Sequence, residues 1–456
     1  MANPVLAVTE RRREPPLNLA LVAFPLLVSV RLSPKIELGC LGLLVLLSLR
    51  GKSRPGESLR RYLPLVPLVG VCAGLSLLRG APLHEVVTLG AVTLAVVLIG
   101  QRVQGEVAVR SLVVGMVGYL LGNIAGWLVG LQSPAASVRV GLYENSASLL
   151  GVRILFPFTR SINEPAIVAA AVLAFVLVSW RRGRRVGPLL WVGSLAALFM
   201  IDASGSRFPV IVLALIIPWV LLLPRLARLV PTLAVISIGT PYFVTAIGGL
   251  RDWLAGQIAG VAFLARGQSA ADIAGGSSRQ YFWERGLSFW GRVVDLPHQM
   301  IGYGYNGHVE SQVVYTYYQA GGFVSNPTAL TLHNSFLQQM YDTGYVGLAA
   351  LIVGLLMVGR RATATGNLPL AALLGVLFMT AMVEVFLDPS FRAIPFMLVL
   401  ALAGVLPPGS ESREAAGDES EARATQDQGV PIPNRRREDR RRDASAEVDT
   451  SSGYDG

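Results

Sequence analysis

The chain has 456 residues, 52% of them hydrophobic and 15% charged, with a mean hydropathy of +0.53. Soluble domains carry about 25% charged residues, so this composition excludes an ordinary cytosolic enzyme and points to an all-α polytopic membrane protein with appendages. The net charge of +10 would suit a nucleic-acid surface, but 31 basic and 17 acidic residues precede position 407 and 8 basic and 12 acidic residues follow it, so the excess belongs to the apolar part.

Residues 1–16 carry Arg11, Arg12 and Arg13 ahead of an apolar stretch without a convincing small-residue cleavage site. The stretch therefore reads as a retained first helix behind a cytoplasmic N-terminal segment. Spanning helices are expected at about 17–30, 36–49, 62–79, 82–100, 107–131, 164–180, 187–202, 208–223, 229–247, 335–358, 368–387 and 391–406, about twelve in all. They form one transmembrane domain over 17–406. A large loop, 248–334, precedes the tenth, and its apolar and aromatic residues recur at helical spacing over 278–296. Residues 407–456 have almost no apolar content and set Arg435-Arg436-Arg437 and Arg440-Arg441-Arg442 among acids, the composition of a disordered cytoplasmic tail.

Orientation follows from Lys and Arg, which stay cytoplasmic near membrane ends. With both termini inside, the cytoplasmic segments before the tail hold eighteen Lys and Arg and the opposite short connections hold eight, so the bias supports that orientation. The 248–334 loop is then extracytoplasmic; long translocated loops are exempt from the charge rule, and its Arg residues need another explanation. Only Lys35 and Lys52 among the 39 basic residues are Lys, the bias of a GC-rich bacterial genome. Cys40 and Cys72 lie in apolar runs and imply neither a disulfide framework nor a metal site.

Four groups of residues can carry chemistry. His333 begins the run Leu332-His333-Asn334-Ser335 where the outer loop becomes a helix. There it is either a capping residue or a half-wet general base. Arg207, in Ser204-Gly205-Ser206-Arg207-Phe208-Pro209, is either an interfacial anchor or a phosphate grip. Arg279 and Arg285 flank aromatics in Ser277-Ser278-Arg279-Gln280-Tyr281-Phe282-Trp283-Glu284-Arg285, and six residues apart they need not share a face. Gly302-Tyr303-Gly304-Tyr305-Asn306-Gly307 lacks the strand-to-helix context of a phosphate cradle and reads as a flexible turn. His84, His298 and His308 read as structural or solvent-facing. Glu384 and Asp388 read as near-interface carboxylates that need partners, with packing or groove roles. No Walker pattern, zinc spacing or metal-binding carboxylate pair stands out, which disfavours a nucleotide-driven pump.

Taken in order, these segments resemble the O-antigen ligase and O-antigen polymerase superfamily of bacterial membrane glycosyltransferases. The matching features are His333-Asn334 with Asp342-Thr343-Gly344-Tyr345-Val346-Gly347-Leu348, Ser206-Arg207, Arg279 with Trp283, the Gly-Tyr-Gly at 302–304, and the large loop before the His helix. Arg153 followed by Ser161-Ile162-Asn163-Glu164-Pro165-Ala166 is a further match, where the family usually has a Pro-Asn pair. The resemblance covers roughly residues 150–390. It implies transfer or polymerisation of polyprenyl-pyrophosphate-linked glycan onto an acceptor hydroxyl, glycan- or lipid-borne, at the outer face of the bacterial cytoplasmic membrane. No metal, nucleotide or other cofactor, and no nucleic acid, takes part.

By the same resemblance His333 is the base and Arg207 and Arg279 grip the pyrophosphate, with Arg153, Arg285, Asn334 and Asp342 as accessory candidates. Asp342 lies nine residues along a helix from His333, about 13 Å at 1.5 Å per residue, too far to orient that imidazole directly. The expectation leans slightly to polymerase. Twelve helices also suit a flippase or transporter of lipid-linked oligosaccharide, and the Arg-rich tail a noncatalytic envelope-assembly scaffold. The lack of a convincing internal repeat and the gathering of chemical groups at the outer face favour the transferase.

Overall fold

A computed structural model describes residues 16–50, 65–78, 81–133, 153–240, 279–318, 330–389 and 392–406, with isolated positions between 242 and 271. The expected tail, 407–456, and most of the N-terminal segment lie outside the described residues. Every regular element among the described residues is helical. The chain begins with α1 (Leu19–Ser29), α2 (Pro34–Ser48), α3 (Leu65–Leu78), α4 (Leu83–Gly100) and α5 (Gly105–Leu128). It continues with α6 (Glu164–Arg181), α7 (Pro188–Ser204), α8 (Phe208–Leu222) and α9 (Val230–Ile238). The loop region contributes α10 (Arg279–Arg292), α11 (Leu296–Ile301) and α12 (Gly307–Glu310), and the chain closes with α13 (Ser335–Ala364), α14 (Leu368–Thr380) and α15 (Ile394–Val405).

Each of the twelve expected stretches thus contains a helix, but among the described residues only α4, α5, α6 and α13 are individually long and apolar enough to cross a membrane. Many starts are set by proline in the first turn, where its missing N–H costs nothing: Pro165, Pro188, Pro209, Pro231, Pro369 and Pro395 occupy that place. Side chains cap three starts, one of them also a proline start, with Asn18 accepting from Leu21 N, Ser33 from Ile36 N and Asn367 from Leu370 N.

The core is the set α6, α14 and α15, whose residues are buried almost throughout. Helix α6 packs on α7, α8 and α14, while α1 packs on α5 and α15 on α4. The periphery is apolar too: Leu46, Leu78, Leu195 and Leu222 are 65%, 83%, 69% and 77% exposed. Helices apolar on their outward faces as well as their inward ones are those of a membrane protein, where lipid covers the outer surface.

The structure redraws three expected boundaries. Helix α9 is continuous only to Ile238, where Gly239 N donates to Ile236 O in a turn, and most of the expected remainder to 247 lies outside the described residues. Helix α13 runs on to Ala364, and its Arg361 Nη1 donates to Ala403 O at 3.2 Å. Helix α14 ends at Thr380 instead of 387, so Glu384 and Asp388 belong to a non-helical strap, 381–389, and not to a spanning helix. The cause is competition for carbonyls: Ala381 O accepts from Ser335 N (3.0 Å), Met382 O from Asn334 Nδ2 (2.9 Å) and Glu384 O from Ser335 Oγ (2.7 Å). The start of α13 uses the groups that would have extended α14.

Inside α13, Gly344 takes φ 65° and ψ −167°, which interrupts the helix. A side chain there would meet the main chain of Met300 and Ile301, so glycine admits both the left-handed backbone and the approach of α11. The expected flexible turn at Gly302–Gly307 is instead fixed on α13. Tyr303 N donates to Tyr341 O and Gly304 N to Asp342 O, both at 2.8 Å, and a Cβ on Gly307 would collide with Tyr341 O.

Charged groups are sorted between the two ends of the bundle. Arg31, Glu37, Glu85, Arg153, Arg160, Glu164, Arg279, His333, Glu384 and Arg392 gather at one end. The other end carries the exposed Arg184–Glu106 pair (3.0 Å), Arg182 and Arg361.

Candidate functional site

The site is a chain of polar groups running from α7 to α13. Arg153 Nε donates to Ser204 O (2.8 Å) and its Nη2 to Asn163 Oδ1 (3.5 Å). Asn163, which precedes α6, donates through Nδ2 to Glu384 Oε1 at 2.6 Å. Arg279 Nη2, at the start of α10, reaches the same carboxylate oxygen at 2.6 Å. The other oxygen, Oε2, faces His333 Nδ1 at 3.4 Å. Glu384 is 4% exposed, whereas the side chains of Arg279 and His333 are 24% and 25% exposed. One carboxylate is therefore buried behind two groups that reach solvent.

Burial alone would raise the Glu384 carboxyl. The Arg279 guanidinium, the hydrogen bond and charge of His333, and the Asn163 amide outweigh it and bring it down to about 2. The group is an anion at any physiological pH, holding one cation and one imidazole.

His333 is held in a backbone conformation that β-carbon sterics disfavour, with φ 51°. Its neighbours impose it. Leu332 is buried, and its carbonyl accepts from Trp283 Nε1 at 3.0 Å. Asn334 is buried and caps α13, with Oδ1 accepting from Leu337 N at 2.8 Å and Nδ2 donating to Ile238 O at 2.7 Å and to Met382 O. The chain must turn sharply between these two fixed points, and Phe282 stacks on the imidazole at 5.8 Å between ring centres. A strained residue over-determined on both sides is a feature that clusters at functional positions.

Of the other residues expected to take part, Arg207 immediately precedes α8, three positions after the Ser204 carbonyl that Arg153 grips, so it lies on the same rim. Arg285 is exposed on α10 with its guanidinium 5.0 Å above the Tyr281 ring, outside the cluster. Asn334 positions His333 through the backbone. Asp342 is buried, and its Oδ1 accepts from Gly307 N (2.8 Å) and Gln338 Nε2 (2.9 Å), so it fastens the Gly302–Gly307 turn to α13.

Among the remaining histidines, His84 lies 3.4 Å from Glu85 and His298 stacks on Tyr303. His308 is fully enclosed, bonded through Nδ1 to Gln338 Nε2 at 2.8 Å. Burial, and after it the nearby His333, lowers its imidazole to about 3. Among the described residues no group of three His, Cys, Asp or Glu could hold a metal ion.

Glu384 and Asn163 are the members of the cluster that sequence reasoning did not assign to it. A carboxylate inside an apolar stretch is by default a functional hypothesis with a partner to be named, so Glu384 carried a usable signal; Asn163 carried only its place in the Ser161–Ala166 segment that follows Arg153 in the resemblance. Arranged in this way, the cluster offers a wet imidazole oriented by a carboxylate, with guanidinium groups beside it. That combination can take a proton from a hydroxyl and hold an anionic leaving group. No family model matches the chain, and no curated protein matches it.

Proposed function

We propose that the chain is a multi-pass membrane glycosyltransferase of the O-antigen ligase and polymerase type. It acts at the outer face of the bacterial cytoplasmic membrane with both termini inside, and transfers a glycan from a polyprenyl-pyrophosphate donor to an acceptor hydroxyl. The observation that carries this reading is the His333–Glu384–Arg279 triad at one end of an apolar helix bundle.

The chemistry follows from that geometry. Glu384 facing Nδ1 favours the tautomer that keeps the proton there and leaves Nε2 as the basic nitrogen. Nε2 accepts the proton of the acceptor hydroxyl while its oxygen bonds to the donor's anomeric carbon. The bond from that carbon to the pyrophosphate oxygen breaks, and its electron pair leaves with the lipid pyrophosphate. About a quarter of the Arg279 side chain stays exposed beside the Nη2 engaged by Glu384, so the guanidinium can present a further donor to a pyrophosphate oxygen. Arg153 and Arg207 add fixed positive charge on the adjoining rim. Such preorganised donors favour the leaving group as its charge develops.

The test is His333→Asn in the native host. Asparagine tolerates the left-handed backbone of position 333, so the fold is retained while the base is lost. Product formation from a defined polyprenyl-pyrophosphate glycan should drop about 10²- to 10⁴-fold, the usual contribution of a positioned base. Full-length product at unchanged protein levels would overturn the mechanism.

A further inference from the structure

The opposite end of the bundle takes no part in that mechanism, and its charges are arranged differently. At the candidate site each guanidinium meets a carboxylate, Arg279 with Glu384, Arg392 with Glu37 and Arg160 with Glu85. At the far end two turns carry only cations. The turn from α6 to α7, residues 181–187, holds Arg181, Arg182, Arg184 and Arg185, and the turn from α8 to α9, residues 223–229, holds Arg225 and Arg228. Neither turn contains an acid, and all six arginines are exposed. Arg184 pairs with Glu106 of α5 at 3.0 Å, and Arg182 Nη2 donates to Val220 O of α8 at 3.5 Å. The second contact ties the two turns together. It leaves Arg181, Arg185, Arg225 and Arg228 without an ion pair among the described residues.

Apolar groups surround these cations. Trp180 and Trp191 flank the first turn, 58% and 40% exposed, with their rings edge to face at 6.0 Å. Leu222, Leu226 and Leu229 are exposed around the second, and Leu189 and Val192 on the first turn of α7. Positive charge at a membrane end sets topology, but topology requires neither an exposed indole pair nor two turns joined by a hydrogen bond. Exposed Trp beside Arg marks the depth where hydrocarbon gives way to headgroups. A guanidinium fork matches the two free oxygens of a phosphodiester, and leucines directly beside it match acyl chains. An acid-rich peptide such as the 407–427 stretch of this chain would satisfy the charge and leave that apolar surface bare.

We propose that the α6–α7 and α8–α9 turns together hold the head of an anionic phospholipid, with Arg181, Arg185, Arg225 and Arg228 gripping its phosphodiester and Trp180 and Trp191 lying at its glycerol backbone. The leaflet concerned follows from the orientation proposed above and is the cytoplasmic one; the binding itself depends neither on that orientation nor on glycosyl transfer. Basic groups between helix ends are a recurrent way of holding such headgroups.

The test uses the full-length protein in an uncharged detergent, titrated with dioleoyl phosphatidylglycerol or dioleoyl phosphatidylcholine and read by native mass spectrometry. The first phosphatidylglycerol should bind about tenfold tighter than phosphatidylcholine, the step expected of a few basic groups near the head. Arg181→Gln with Arg185→Gln, and separately Arg225→Gln with Arg228→Gln, should each weaken phosphatidylglycerol severalfold and leave phosphatidylcholine unchanged. These four side chains are exposed, and the Arg182 and Arg184 contacts stay intact, so the melting temperature should match that of the wild type. Gln in place of Arg435–Arg437 and Arg440–Arg442 should leave the preference as it is, and millimolar inorganic phosphate should not displace the lipid. Equal affinity for the two lipids, a preference that survives all four turn substitutions or vanishes with the six distal ones, or displacement by phosphate would each overturn the proposal.

Discussion

The residue that titrates most informatively is His308. The unfolded chain takes up a proton on an exposed imidazole near pH 6.5, as free histidine does. The folded protein resists until about 3, because burial excludes the charged form. Between those values the unfolded state binds more protons, so stability is full above about 6.5 and is lost as pH falls. Glu384 acts in a lower window, from the ordinary carboxylate range down to about 2. The part that His308 contributes between pH 7 and 5 is read by difference: over that range the melting temperature of His308→Gln should change less in the destabilising direction than that of the wild type. Parallel pH profiles for the two proteins would show that His308 does not govern this window.

At the scale of elements, the junction of α9, α13 and α14 depends on one side chain. Asn334 caps α13 and also satisfies the last carbonyl of α9 and a carbonyl of the strap. Asn334→Ala removes a cap worth about 1 kcal/mol and leaves buried carbonyls unpaired, at a further ~1–3 kcal/mol each. Thermal unfolding should register that loss, and transfer activity should fall with it because the turn at His333 slackens. A variant with wild-type stability would contradict this account of the junction. The helix positions were readable in the sequence because apolar run length, Pro in first turns and side-chain caps are local signals. The end of α14 at Thr380 was not, since it is decided by hydrogen bonds from Asn334 and Ser335, more than forty residues away. Glu384 was misplaced into a helix for the same reason.

At the scale of the molecule, the sequence placed His333, Arg207 and Arg279 on one side through topology alone, and the structure gathers His333, Arg279 and Arg153 through Glu384. No periodicity could have paired His333 with Glu384, 51 positions apart, or Arg392 with Glu37, 355 apart. Such pairings follow from how the helices pack. The two ends of the bundle carry distinct charge sets, which gives orientation a direct test. In a chain with Cys40 and Cys72 replaced by Ala, Arg285→Cys should react with a membrane-impermeant maleimide in intact cells, and Arg184→Cys only after lysis. The reverse pattern would invert the orientation and put the candidate site on the cytoplasmic side.

The strap between α14 and α15 has a thermodynamic consequence. Glu384 and Arg392 lie eight positions apart in sequence, each tied to a different cluster, and the described hydrogen bonds between them are single turns, Asp388 N to Val385 O and Arg392 N to Pro389 O. By linkage, whatever factor occupancy of one cluster contributes to affinity at the other, occupancy of the second must return to the first.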